Sequence, residues 1–128
     1  MKISARFVLA ALLLTLILGA GIWILEVQTK FLRRTYDEIV LDNRNPYLSC
    51  AQLPTEAEVS QVMEEHRDAI KMINQINPGF VGMEIDTSTC PGKAEILFWY
   101  GTHQDRLRIE AMIAGETFHG IPYQLQNR

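Results

Sequence analysis

The chain is poor in the residues that most often carry chemistry. It holds two cysteines, three histidines and two tryptophans among 128 residues. It contains no Cys-x-x-Cys, His-Glu-x-x-His or Gly-x-Ser-x-Gly string and no phosphate-cradling glycine loop. Those absences remove the sequence signatures of thiol redox centres, zinc proteases, α/β hydrolases and nucleotide-binding loops. Asn-x-Ser/Thr acceptors, low-complexity tracts and internal repeats are also missing, so nothing marks a glycosylated stalk or a solenoid. A basic excess is lacking where a soluble domain would sit: residues 46–128 carry six basic side chains against eleven acidic ones, a net charge of about −5. Nucleic acid is excluded as a partner on that ground, because phosphate binding needs clustered cations. The sequence assigns no catalytic residue, no cofactor and no metal.

What the chain does have is a run of nineteen uncharged residues, Phe7 to Leu25. At ~1.5 Å per helical residue the run spans ~28 Å, close to the ~30 Å hydrocarbon core of a bilayer. It reads as a single transmembrane helix behind a short tail, residues 1–6. A cleavable secretory signal is the competing reading, with Lys2 and Arg6 as its charged region and Gly19 and Gly21 before a cut at Ile22. The apolar stretch continues through Ile22, Trp23, Ile24 and Leu25, where a signal turns polar, and this favours an uncleaved anchor. Lys2 and Arg6 on one side nearly balance Lys30, Arg33 and Arg34 on the other, so charge does not set the orientation. The short tail and the even cysteine count favour an oxidising compartment. The expectation is a single-pass protein of the cell membrane, with its soluble domain on the extracytoplasmic side.

Residues 26–45 read as a juxtamembrane stalk and linker. Glu26 to Leu41 lacks Gly and Pro, and Leu25, Leu32 and Ile39 recur every seven residues, which predicts a helix continuing from the span. Its apolar side can rest on the domain or on lipid headgroups. Asp42 to Pro46 then breaks it. Within the span, Ala11, Thr15 and Gly19 form a small-residue face that could pair two copies, so a homodimer joins the lipid bilayer, contacted by residues 7–25, among the expected partners.

Residues 46–128 read as one α+β domain. Thr55 and Glu58 form a capping box, and Val59, Val62, Met63, His66, Ile70, Ile73 and Ile76 follow the helical period up to Asn77-Pro78-Gly79. Residues 80–86 and 94–100 alternate as strands, with Val81, Met83 and Ile85 facing Ala94, Ile96, Phe98 and Tyr100. A second helix covers about residues 104–114, with Gly115 as its C-terminal cap. The last strand, on Ile121, Tyr123 and Leu125, is placed at an edge because Pro122 lacks an amide donor. If Tyr47 to Cys50 is a strand, the order is the split βαββαβ of ferredoxin-like domains. The alternative is αββαβ with a three-stranded sheet of antiparallel type. Under either order Cys50 and Cys90 come together, and a disulfide is expected to close 41 residues.

Three groups are candidates for function. His66, His103 and His119 have no ligand neighbours at i+3 or i+4 and read as structural. Glu84, Asp86 and Glu95 read as a solvated sheet face. Leu97 and Trp99 alternate with the inner row, so they point to the face that helices leave open, where Gly82 makes room for the indole and Gln124 lies beside them. This is the expected partner-binding face. The function expected is a membrane-anchored, extracytoplasmic, non-enzymatic interaction or adaptor module that contacts another envelope protein. The alternative is a membrane-tethered sensor or small-ligand-binding domain with a pocket between Trp99, Tyr100 and Tyr123.

Overall fold

The structure, a computed structural model, describes residues 5–128. Lys2 and the start of the short tail lie outside the described residues. The chain divides into two compact units, one running to Thr35 and the other from Tyr36 to Arg128.

In the first unit α1 covers Ala5–Thr29. From Arg6 to Thr29 it is long and apolar enough to cross a membrane, and none of that stretch is buried in protein. The continuous helical stalk does not form. Lys30 adopts a left-handed backbone, φ 52°, and α2 begins anew at Phe31, running Phe31–Ile39. The break is stabilised locally. The Glu26 carboxylate accepts from the amides of Leu32 at 2.7 Å and Arg33 at 3.2 Å, satisfying first-turn donors that a new helix leaves unpaired.

In the second unit Thr55 accepts from the Glu58 amide, and Glu58 reaches back to the Thr55 amide at 2.7 Å, which starts α3, Glu56–Glu65. The same hydrogen bonds hold the Glu58 carboxyl below its ordinary pKa. The helix expected up to Asn77 is split at His66 (φ −114°, ψ 30°), after which α4 covers Arg67–Asn74. At the split the His66 imidazole stacks on that of His119 with centroids 3.4 Å apart. Two antiparallel strands follow, β1 Val81–Asp86 and β2 Glu95–Tyr100. Helix α5, His103–Ile113, is capped by Thr102 at its start. Its left-handed C-cap is Ala114 (φ 53°) rather than Gly115, because the Ala114 amide still closes the last turn on Glu110. A two-residue β3, Thr117–Phe118, turns through His119 and Gly120 into β4, Ile121–Asn127. Both turn residues have positive φ, the geometry of a tight hairpin.

The sheet order is β1-β2-β4-β3, with β2 and β4 parallel. Tyr47 to Cys50 is not a strand, so the split ferredoxin-like arrangement does not form. Asn45 accepts from the Tyr47 amide at 2.7 Å and Tyr47 has φ 52°, a turn that an extended strand cannot contain. The αββαβ order is present, with β3 added, but the sheet is mixed rather than antiparallel in type. Nor is β4 an edge: β2 lies on one side, and on the other the short β3 places Thr117 opposite Pro122. Further along, Arg44 and Leu125 exchange backbone hydrogen bonds of 2.8 Å.

The helices supply Val59, Ile73 and Ile109 to a core shared with Ile96, Phe98, Tyr100, Tyr123 and Leu125 from the sheet, all almost wholly buried. Each such side chain contributes ~2 kcal/mol through removal of apolar surface from water. Cys50 and Cys90 form a disulfide with Cα atoms 5.7 Å apart. It ties a short 3-10 helix, Cys50–Gln52, ahead of α3 to the β1–β2 loop. Replacing both with alanine should lower unfolding stability by ~4 kcal/mol through the released loop entropy. Urea titration of the detergent-solubilised chain measures this, and a loss below ~1 kcal/mol would show that loop closure is not what holds this segment.

Candidate functional site

The face of the sheet turned away from the helices is built by strand parity. Successive residues of a strand point to opposite sides, so with Ile96, Phe98 and Tyr100 in the core, Glu95, Leu97 and Trp99 face outward. Register sets Gly82 opposite Trp99, Glu84 opposite Leu97, and Gln124 beside Leu97. The indole lies directly over Gly82, where any side chain would collide with its six-membered ring. Leu97 is buried and Trp99 half-buried, so the expected patch is more sunken than alternation alone suggested. Its exposed member is Phe80, 63% accessible, whose ring lies against Gly101 on the same face. Sequence reading missed Phe80, although it precedes Gly82 by two and therefore shares its parity.

The carboxylates on this face do not form one solvated group. Glu84 is exposed and pairs with Arg128 at 2.5 Å, whereas Glu95 is only 3% exposed. Gln124 Nε2 donates to Glu95 Oε1 at 2.6 Å, Thr89 donates to the same oxygen at 3.4 Å, and Asn45 donates to Gln124 Oε1 at 3.3 Å. Burial, aided by the neighbouring charge of Asp86, pushes the Glu95 carboxyl above its ordinary 4.5, against the opposing effect of the Gln124 hydrogen bond. Gln124 is therefore a bridge between Glu95 and Asn45 rather than a loose contact residue.

The histidines are dispersed. His66 and His119 stack beside Phe118, while His103 Nδ1 lies 2.8 Å from Asp42 Oδ1. Among the described residues no cluster of three His, Cys, Asp or Glu side chains could hold a metal ion. Trp99, Tyr100 and Tyr123 do not line a common pocket, because Trp99 faces outward while both tyrosines are buried in the core. The tyrosine hydroxyls are engaged: Tyr100 donates to the Asp42 carbonyl, and Tyr123 donates to the Gly115 carbonyl at 2.9 Å. Burial raises the pKa of both tyrosines.

The densest polar assembly was not legible from the sequence. The Arg106 side chain is 5% exposed, and its guanidinium reaches three carboxylates: Glu38 at 2.6 Å, Asp42 at 2.9 Å and Glu110 at 3.2 Å. Burial would lower its pKa, but the hydrogen bonds to Glu38 and Asp42 and the charge of Glu110 outweigh that, and the net shift is upward. Arg44 pairs with Glu116, donates to the Tyr123 hydroxyl at 3.0 Å and sits 5.2 Å over the Tyr123 ring. The only signal in the sequence was the i,i+4 spacing of Arg106 and Glu110. Glu38 and Asp42 lie more than sixty residues away in a segment that reads only as the end of a helix and a breaker.

These buried charges have measurable consequences. Arg106→Met should reduce stability by about 1–3 kcal/mol by leaving the half-buried Asp42 and Glu110 carboxylates and the exposed Glu38 without their shared cation, and Arg106→Lys should recover only part, since one ammonium cannot span three acceptors. Urea titration of both variants tests this, and an Arg106→Met chain as stable as the wild type would refute it. The Glu95 carboxyl binds its proton more tightly folded than unfolded. Its contribution is therefore fully present below the unfolded pKa and is lost as pH rises through the higher folded value. Glu95→Gln should melt above the wild type at pH 7, with the gap closing on acidification towards the ordinary carboxylate pKa. A pH-independent gap would show that the charge is not responsible.

No family model, curated protein or solved structure matches this chain, so the functional reading rests on the geometry of these sites.

Proposed function

We propose that this protein is a membrane-anchored, non-enzymatic interaction module whose folded unit lies on the extracytoplasmic side and contacts another envelope protein through the helix-free face of its sheet. The observation that carries the reading is the exposed Phe80 beside Trp99, with Gly82 and Gly101 beneath the two rings. Two large aromatics on a flat face supply apolar contact area with little rotamer entropy to lose, the composition favoured at the centre of protein interfaces. The Glu84–Arg128 pair gives this patch a charged rim. Helix α1 supports the anchor by its length and composition, and the disulfide fits an oxidising compartment.

The sensor reading draws less support. A cavity of about 170 Å³ lies between α4, α5 and β3, lined by Met72, Ile73, Met112 and Phe118 among others. That is below the ~300 Å³ at which ligand pockets usually begin.

A photocrosslinking residue at position 80 or 99, used in intact membranes, should give a covalent adduct with a second protein. Phe80→Glu should reduce the adduct at position 99 about tenfold or more, as expected for loss of an interface anchor, without lowering the melting temperature of this exposed site. Adducts to lipid alone, or adducts insensitive to Phe80→Glu, would overturn the assignment.

A further inference from the structure

Helix α2 is divided lengthwise. At 100° per residue, Phe31, Leu32, Tyr36, Ile39 and Val40 occupy one half of the wheel, an arc of ~180°, with only Thr35 among them. Arg33, Arg34, Asp37 and Glu38 occupy the other half. Val40 belongs to the helix by its 2.9 Å hydrogen bond to the Tyr36 carbonyl.

The structure shows what the polar half does. Glu38 pairs with the buried Arg106 at 2.6 Å, and the Asp37 carboxylate accepts from the Tyr47 hydroxyl. The folded unit therefore holds its own end of the helix, from Tyr36 on, by the acidic residues Asp37 and Glu38. All five apolar side chains stay exposed, Ile39 to 75%. A helix resting its apolar side on the domain would have the opposite polarity.

We infer that the apolar half of α2 lies in the interfacial layer of the membrane, with Phe31, Leu32, Tyr36, Ile39 and Val40 inserted among the lipid headgroups and upper acyl chains. The inference rests on the reading that α1 spans the bilayer. Two observations point to lipid as the occupant. One is chain continuity: only Lys30 separates α2 from a helix long and apolar enough to cross a membrane. The other is charge: Lys30, Arg33 and Arg34 follow directly on that helix, the arrangement of an interfacial helix whose cations meet lipid phosphates. A second copy fits less well. The Leu25, Leu32, Ile39 heptad is interrupted by the left-handed Lys30, and α2 alone has nine residues, too few for a stable two-stranded seam. The part of this stripe that belongs to the folded unit, Tyr36, Ile39 and Val40, is tied to it through the Glu38–Arg106 pair.

The test uses the full chain with its disulfide intact, reconstituted into vesicles of phosphatidylcholine and phosphatidylglycerol. Nitroxide labels are placed by Leu14→Cys, Phe31→Cys, Arg34→Cys or Ile39→Cys, and collision with oxygen is compared with collision with a water-soluble nickel chelate. The oxygen-to-nickel ratio at positions 31 and 39 should exceed that at 34 roughly fivefold, as for side chains set ~5–10 Å into the interface. Nickel access at 39 equal to that at 34, with position 14 still in lipid, overturns this inference and leaves the anchor intact. Nickel access at 14 as well overturns both. Label-to-label broadening at 39 that spin dilution removes assigns the face to a second copy, and shielding from both reagents assigns it to a protein partner; either result also overturns the inference.

Discussion

The Arg106 guanidinium is the point on which the second unit depends. It is nearly excluded from water, and Glu38, Asp42 and Glu110 around it offset the cost of burying its charge. Two of those acids come from outside the α5 helix that carries the arginine. Satisfying one cation therefore fixes the end of α2 and the turn after it against α5. The Tyr100 hydroxyl reinforces the same point by donating to the Asp42 carbonyl. Buried ion pairs add little net stability compared with apolar replacements, yet removing one partner is severe.

A second constraint follows along the adjoining segment. Arg44 pairs its backbone with Leu125 and sends its guanidinium to Glu116 and Tyr123. Asn45 points to the other face and meets Gln124, which in turn satisfies the buried Glu95. A stretch that looks like a tether is thus stitched to both faces of β4. This also accounts for the position of β4: its side away from β2 is completed by β3 and by the Arg44 bridge, so a proline near its start is tolerated where pairing is only two residues long.

These contacts give the proposed module its directionality. Asp37 and Glu38 of α2 and Asp42, Arg44 and Asn45 of the linker are engaged by the folded unit, while the apolar side chains of α2 and Phe80 stay exposed. The α2 side chains are suited to lipid because they follow a membrane-length helix directly in the chain. The Phe80–Trp99 patch is suited to a protein by its flat aromatic character and charged rim.

Much of the architecture was legible from local pattern. The membrane-length helix, the Thr55–Glu58 capping box, the alternating inner rows and the pairing of Cys50 with Cys90 all depend on residues whose spacing or chemistry is readable along the chain. The outward direction of Leu97 and Trp99, and the room made by Gly82, also follow from parity. Tertiary structure alone decided the break at His66, the parallel place of β4, and the burial of Glu95 and Arg106, whereas the break at Lys30 and the turn at Tyr47 are held by Glu26 and Asn45 only a few residues away. The tertiary outcomes turn on partners that sequence spacing does not reveal, such as the His119 imidazole stacked on His66 and the acids more than sixty residues from Arg106. Periodicity reports which side of an element avoids water, but the energy of a charge or a hydrogen bond depends on what the fold brings within ~3 Å of it.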